Sequence, residues 1–590
     1  MGKKLLKVLG IVFIILTIIF SVGMQALGYI TNYTQILDKY ILFEIGYKKI
    51  YNPLFYPFVI QKYSESSPRS IGFSTSMAGG ISLIFVVIFT VLSLKKLENK
   101  NTHGSARWAK VSELKDFLVK KGKRYPEDGV ILGVKETFFN AYLLVHKLIT
   151  HLLIIAPSRA GKGIGIIIPT LLTWKNCLFV LDIKGENFER TSAYRKKVLK
   201  QKILKISPYS EDNSTKYNPL SEVRVKTEYE VRDCQIIADI LTEPEKGKSR
   251  DHFLTASNAL FVGLMLHSLY SKKNASLVDV YDFLTDPSAP IEERLQELLE
   301  KTYSDSAVIK EIYGDTGMEE GVHPIIARCS AEILNKSDRE RASVISTALN
   351  KIALFKDPLI RQNMGSSDFK MSDLMDNEEK VTAYMCVKEE ELDTLSIVIR
   401  IFLTQFLGVS TRKLGHKHKI LLMLDEFPAF GKVPLLEKGL GYIAQYGIKA
   451  VIIAQNIGQI FDVYGENTNV ISGCGTGVYY APAGTDTKTP EYISKLLGTE
   501  TKTYRTSSFK QFGGLTDGNI SYNQTGKKLL NPDEVRTKLG DKKLILSLEG
   551  KYPFIADKFQ YFADNYFKDK YFDRERKVNE HLGVAEVDKL

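Results

Sequence analysis

The longest apolar runs stand at the start of the chain. From Val8 to about Ile30 nearly every position is apolar and uncharged, and a similar stretch runs from Ile71 to Leu94. Each has the ~20 residues that a helix needs to cross a bilayer. After Thr102 the pattern breaks into short apolar runs separated by polar and glycine-bearing turns. His151–Ile155, Leu178–Asp182, Ile420–Leu424 and Ala450–Ala454 read as buried strands of an α/β domain. Between the second and third of these the spacing turns helical. Phe253, Ala256, Ala259, Leu260, Gly263 and Leu264 fall on one helical face, as do Val344, Ile345, Ala348, Leu349, Ile352 and Leu354. Both stripes read as core packing.

Charge orients the two spans. Lys3, Lys4 and Lys7 precede the first, and Lys95, Lys96, Lys100, Arg107 and Lys110 follow the second, so both flanks are expected in the cytoplasm. A cleaved signal peptide is the alternative for the first span, with Ser21-Val22-Gly23 as a small-residue cleavage site. The loop from about Thr31 to Ser70 would then lie outside. It carries Tyr40, Phe43, Tyr47, Tyr51, Phe55, Tyr56 and Phe58, which suit an interfacial belt or a contact surface for another membrane protein.

The net charge of +12 invites a nucleic-acid reading, but residues 1–102 hold 11 Lys/Arg against 4 Asp/Glu, and lipid headgroups account for that excess. The five cysteines form no C-x-x-C pair, which excludes a disulfide framework or a zinc ribbon and fits a reducing compartment. His103, His146, His151 and His252 show no ligand spacing, and His416-Lys417-His418 reads as an exposed turn. Ser507 to Asn523 reads as a flexible loop or hairpin.

The strand ends carry the chemistry. The first strand runs into Ala156-Pro157-Ser158-Arg159-Ala160-Gly161-Lys162-Gly163 and then a helix start. In a phosphate loop, successive backbone N–H groups at a helix N-terminus face the phosphates while a lysine reaches the outer ones. Gly161 and Lys162 fill the demanding positions. Ala156 replaces the first glycine of G-x-x-x-x-G-K-[ST], and Gly163 replaces the hydroxyl residue that usually binds Mg²⁺. The strand Ile420–Leu424 ends in Asp425-Glu426, a carboxylate for Mg²⁺ and a glutamate to orient or deprotonate water. Ala450–Ala454 ends in Gln455, suited to sensing a γ-phosphate. Asp182 and Glu186, after a further strand, could gather in the same crevice, with Asp425 and Glu426 ranked ahead for metal and water.

In order along the chain stand His103-Gly104-Ser105-Ala106-Arg107-Trp108-Ala109, the loop Ala156–Gly163 continuing to Ile168-Pro169-Thr170, and Leu181-Asp182-Ile183-Lys184-Gly185-Glu186. Tyr217-Asn218-Pro219-Leu220, Asp251-His252-Phe253, Asp425-Glu426-Phe427, Gln455 and Leu529-Leu530-Asn531-Pro532-Asp533-Glu534-Val535 follow. With these the chain resembles the coupling-protein ATPases of type IV secretion and conjugation systems, the TraG-like family, from His103 to about Ile555. The resemblance makes Gly163 a family trait. It implies a RecA-like P-loop nucleotide-binding domain with an inserted all-α domain, preceded by two transmembrane helices, and assembly as a homohexamer around a channel. The expected divisions are a membrane anchor at 1–102, nucleotide-binding parts at 103–225 and 367–567, the insert at 226–366, and a short charged tail at 568–590.

The implied function is an inner-membrane, multi-pass ATPase with its motor domain in the cytoplasm. It would bind ATP and Mg²⁺ and drive substrate, conjugative single-stranded DNA with its relaxase, to the components of a type IV secretion channel. Lys162 and the loop amides would hold phosphate, Asp425 the metal, Glu426 the water and Gln455 the γ-phosphate state. Rival readings are the same machine serving protein effectors only, a docking receptor that binds nucleotide without hydrolysis, and a chromosome-segregation translocase. Ring ATPases often complete a site with a neighbour's arginine. Arg328, Arg341, Arg361 and Arg400 are candidates that surface salt bridges explain equally well, and Arg107 with Trp108 suits either a nucleotide contact or a headgroup anchor.

Overall fold

The computed structural model describes residues 2–31, 35–45, 48–65, 68–76, 78, 80, 102–122, 125–137, 140–211, 214–244, 249–510, 517–568 and 570–571, with the backbone alone at 2–15, 35–36, 505, 507–510 and 517–522. Residues Met1–Thr102 and His103–Leu590 are two compact units.

In the first unit, helix Gly2–Ile30 is followed by a 3-10 turn Gln35–Tyr40, the hairpin β1 (Ile41–Ile45) and β2 (Lys48–Tyr51), and short helices Pro53–Phe55 and Tyr56–Tyr63. Met24 and Leu27 on the long helix, with Leu37, Tyr51, Tyr56, Val59 and Ile71, form its core. The expected second span at Ile71–Leu94 is helical at 71–76 and otherwise falls largely outside the described residues.

The second unit is built on one sheet. Its strands are β3 (Leu118–Lys120), β4 (Val130–Glu136), β5 (Ala141–His146), β6 (Leu152–Ile155), β7 (Cys177–Ile183), β8 (Lys202–Ile206), β9 (Val381–Val387), β10 (Ile420–Leu424), β11 (Ile448–Ala454), β12 (Thr476–Tyr479), β15 (Lys543–Ser547) and β16 (Phe554–Asp557). They lie in the order β3-β5-β4-β16-β15-β12-β6-β11-β10-β7-β9-β8. From β12 to β8 all neighbours run parallel, and from β15 to β3 they run antiparallel, so the sheet is mixed.

The central strands are almost wholly apolar because both faces are covered. Alternate residues go to opposite sides: Leu153, Ile155, Phe179, Leu422 and Ile452 enter one core, while Leu152, Ile154, Leu178, Val180, Leu421, Met423, Val451 and Ile453 enter the other. β11 starts at Ile448, two residues earlier than the apolar run suggests, because it includes the buried Lys449. Its ammonium is satisfied by His146 Nδ1 (2.8 Å), His146 O (2.9 Å) and Leu148 O (2.7 Å).

Between β8 and β9 the described residues from 226 to 366 form helices and turns with no strand. Ala256, Leu260 and Leu264 of one stripe and Val344, Ala348 and Ile352 of the other are buried, whereas Phe253 is exposed. Gly263 permits close approach: a Cβ there would lie 2.7 Å from that of Cys329. These helices share a core with the sheet. Among the residues described with their side chains, the helices long and apolar enough to cross a membrane are His252–Ser271 and Glu389–Ser410, 67% and 50% buried. Both lie in the second unit and contribute to its core.

β13 (Thr499–Lys510) and β14 (Asp517–Lys528) form a separate two-stranded sheet, a hairpin longer than the reading of Ser507–Asn523, and Glu500 of β13 also bridges to Ser105. Its root is bonded to the segment after Thr102. Ala106 N donates to Thr499 O (3.1 Å), and Thr501 Oγ1 accepts from His103 N (2.9 Å) and Gly104 N (3.1 Å). Gly104 is required by this contact, since a Cβ would stand 2.1 Å from Thr499 O.

Candidate functional site

The C-terminal ends of β6, β11, β10 and β7 are neighbours in the sheet, so the residues that follow them converge. After β6, Ala156 N still donates to Ala454 O of β11 (2.9 Å), which fixes the exit of the loop Ala156–Lys162. The loop then turns sharply: Arg159 has φ 61 and Gly161 φ 93. Ala160 N donates to Pro157 O (3.1 Å) and Gly165 N to Gly161 O (2.8 Å). Among the described residues, the N–H groups of Ser158, Arg159 and Gly161 find no acceptor within the chain. The loop opens into a π turn, Gly163–Ile167, and then helix Ile168–Thr173. Single π turns of this kind recur at functional sites.

Opposite the loop, Lys162 Nζ donates to Asp425 Oδ1 at 2.6 Å and Glu426 Oε1 at 2.5 Å. Gln455 Nε2 donates to Glu426 Oε2 (3.0 Å), and Glu426 N to Asp425 Oδ1 (3.0 Å). Glu426 itself sits in left-handed backbone, φ 50, where the chain leaves β10 for a 3-10 turn. Burial raises the Asp425 carboxyl above its ordinary range, with the Lys162 ammonium opposing. Burial works against the Lys162 charge, but Asp425 and Glu426 outweigh it and the ammonium is raised. An ammonium clasped by two carboxylates is a cation-accepting centre. Asp425 and Glu426 therefore fit a divalent cation brought in with phosphate, while Gly163 contributes no oxygen and leaves open space where its side chain would be.

Two of the residues expected here take other partners. Asp182 follows the pair Leu181–Leu424 in the β7–β10 register and so lies level with Asp425, but its oxygens accept from Asn187 N (3.2 Å) and Phe188 N (2.7 Å), holding the next helix. Burial pushes its carboxyl up to about 7. Glu186 is exposed and accepts from Arg190 Nε (2.9 Å). Of the candidate arginines, Arg341 is paired with Glu292 and Asp338, Arg361 with Asp282 and Arg400 with Glu243; Arg328 is exposed and without a partner among the described residues. Arg107 is clasped by Glu113 and lies 3.8 Å over the Tyr552 ring. His416 is not in an exposed turn: its ring bonds to Asp376 Oδ2 (3.0 Å) and Ser410 O (2.7 Å), which seats it against the helix end.

Lys558, which sequence reasoning missed, reaches the loop from the end of β16. Its Nζ donates to Ala160 O (3.0 Å) and lies 4.8 Å over the buried Tyr480 ring. Its separation of 398 positions from Ala160 hides any signal for it in the sequence.

Residues 107–584 match the family model described as type IV secretory system conjugative DNA transfer. The chain is 31% identical over 521 residues to a conjugal transfer protein TraG of Escherichia coli, covering 81% of this chain and 79% of that one. It is 30% identical to protein VirD4 of Rhizobium radiobacter, covering 86% of this chain and 71% of VirD4. The fold is similar to that of the bacterial conjugative coupling protein TrwBΔN70 in its unbound monoclinic form, with TM-score 0.56, 15% identity, and coverage of 77% of this chain and 94% of that one. That likeness makes the second unit a RecA-like P-loop α/β fold. With its ordered motifs, strand-end cluster and family match, this chain belongs to the type IV secretory system conjugative DNA transfer family, the TraG-like coupling proteins.

Proposed function

We propose that this chain is a membrane-anchored ATPase that recruits conjugative single-stranded DNA with its relaxase and drives it toward a type IV secretion channel. The observation that carries the reading is the Lys162–Asp425–Glu426–Gln455 cluster at the ends of neighbouring strands, facing a loop with unpaired N–H groups. TrwB has been crystallised with the non-hydrolysable ATP analogue ADPNP and with ADP and Mg²⁺, which supports nucleotide and Mg²⁺ as the ligands here.

In this reading the loop amides and Lys162 take the phosphates. Lys162 then leaves Asp425 and Glu426, and Asp425 holds the metal, which supplies neutralising charge to the phosphate oxygens. Glu426, held by Gln455, is freed to orient water and accept its proton. Gln455, bonded to both the glutamate and its own helix through Gln459 (Gln455 N to Gln459 Oε1, 3.0 Å), couples the phosphate state to the helix after β11. The helical segment at 226–366 recruits substrate, six copies form the ring, and helix Gly2–Ile30 with the second apolar stretch anchors the chain in the inner membrane.

The test uses the full chain in proteoliposomes and in cells. Lys162→Ala and Glu426→Gln are each expected to lower ATP hydrolysis by at least about 10²-fold. Glu426→Gln keeps nucleotide binding, Lys162→Ala weakens it, and both remain membrane-inserted. Transfer of a marked plasmid is lost in cells lacking the protein and returns only with the wild-type chain. Wild-type transfer by both variants would overturn the motor reading, and hydrolysis without plasmid transfer would redirect the substrate to protein.

A further inference from the structure

The first unit presents an apolar surface that its own core does not use. Helix Gly2–Ile30 has 29 residues, or ~44 Å at 1.5 Å per residue, against ~30 Å of hydrocarbon in a bilayer. With Lys3, Lys4 and Lys7 on the cytoplasmic side, the ~20 residues that follow cross the hydrocarbon, and the helix leaves it near Leu27.

The chain after this helix folds back onto that exit point. The Tyr56 ring occupies a notch at Gly23, where a Cβ would lie 2.2 Å from the ring, and the Tyr51 ring covers Gly28, where it would lie 2.3 Å away. Between them the Gln25 amide donates to Lys49 O (3.2 Å) and accepts from Tyr51 N (2.7 Å). Gly23 is about 6 Å along the helix axis before Leu27 and Gly28 just past it. Residues 41–45 and 48–63 therefore straddle the hydrocarbon boundary.

Leu42, Phe43, Ile45, Leu54, Phe55 and Phe58 point away from this core, each between 41% and 66% exposed. In β1 the exposed Phe43 and Ile45 share one face, the exposed Glu44 stands on the other opposite Lys49, and Leu42 lies at a bulge between the pairs Ile41–Tyr51 and Phe43–Ile50. Lys39 lies 5.1 Å over the Tyr40 ring and Lys62 5.8 Å over that of Tyr63, pairs suited to the headgroup layer.

We infer that residues 41–45 and 48–63 insert this apolar surface into the extracytoplasmic leaflet of the membrane that helix Gly2–Ile30 crosses. The inference rests on the proposed membrane anchoring. The module is an interfacial float, fixed to the helix by its two glycine notches and wetted by acyl chains on its outer side.

Single cysteines at Phe43→Cys and Phe58→Cys, with Ser64→Cys as an exposed polar control, are placed in the full chain with its five native cysteines replaced by alanine, labelled with an environment-sensitive fluorophore and reconstituted in phosphatidylethanolamine–phosphatidylglycerol vesicles. Labels at 43 and 58 are expected to be quenched by nitroxide-bearing lipid and shielded from aqueous iodide, and the label at 64 to behave the opposite way. Equal iodide quenching at all three positions would overturn the inference, as would shielding from both quenchers with cross-linking to another polypeptide, which assigns the surface to a protein. Alkaline extraction of the same vesicles separates the two readings: release of the chain defeats membrane anchoring itself, and retention with 43 and 58 in water defeats only the leaflet insertion.

Discussion

Glu426 holds a left-handed backbone that only its neighbours make tolerable. Such a conformation costs a non-glycine residue about 1 kcal/mol, offset here by the bonds to Lys162, Gln455 and the Asp425 carboxylate. The motif around it is legible in sequence because its residues are ordered along the chain by strand ends. Lys558 is not, because nothing local marks it. The trans peptide between Ala160 and Gly161 sets its C=O and N–H in opposite directions. By holding the carbonyl, Lys558 fixes the Gly161 N–H on the side of the peptide away from its own ammonium, in a backbone that glycine alone adopts readily. Lys558→Met is therefore expected to weaken nucleotide binding by about ten- to a hundredfold, the range of one charge-assisted hydrogen bond, with Lys558→Arg close to wild type in the same titration. Gly163→Ser tests the missing hydroxyl. Its side chain enters open space, so the melting temperature is expected to stay within about 2 °C of wild type while the magnesium concentration for half-maximal hydrolysis falls.

Strands were legible where apolar residues run unbroken, and obscured where a charge interrupts them. Ile420–Leu424 is read to the residue, whereas Lys449 conceals the start of β11 because its partners His146 and Leu148 come from another strand and loop. Ser507–Asn523 was legible as a loop or hairpin, but the full length of the hairpin was not, because the Thr, Ser and Lys residues of its arms show no apolar alternation in the sequence. The buried base of β6 and β11 makes stability depend on pH. Burial, reinforced by Lys449, lowers His146 to about 3 and His151 to about 4. Both stay neutral when folded and protonate when unfolded, so their contribution is complete above pH ~6.5 and is lost as pH falls toward 4. Asp182 works in the opposite sense: raised to about 7, it binds its proton more readily when folded and adds stability as pH falls from 7 to 4. Urea midpoints of the solubilised chain are expected to fall on acidification, more gently in His151→Asn and more steeply in Asp182→Asn.

At the scale of the molecule, the strand order is the part that no local pattern announces. β15 and β16 lie between the amino-terminal strands β3–β5 and the parallel core, so residues 118–146 reach the sheet only through residues 543–557. Ala109 N donates to Pro553 O (2.8 Å), and the Tyr125 hydroxyl bonds to the Asp564 carboxylate across 439 positions of sequence. A chain stopped after Gly540 is expected to expose residues 103–146 to limited proteolysis and to unfold without a single transition. Leu546→Ala, at a fully buried position in β15, is expected to cost about 2–5 kcal/mol, read as a lower urea midpoint. The same interleaving sets a timetable for biosynthesis. The strands β3–β5 leave the ribosome with only one another to pair with until ~400 further residues have been made, which at 5–20 residues per second takes roughly 20–80 s. For that interval β4 carries an open edge and its apolar side chains are bare. An edge left unpaired over that interval is where association with another chain is expected to begin.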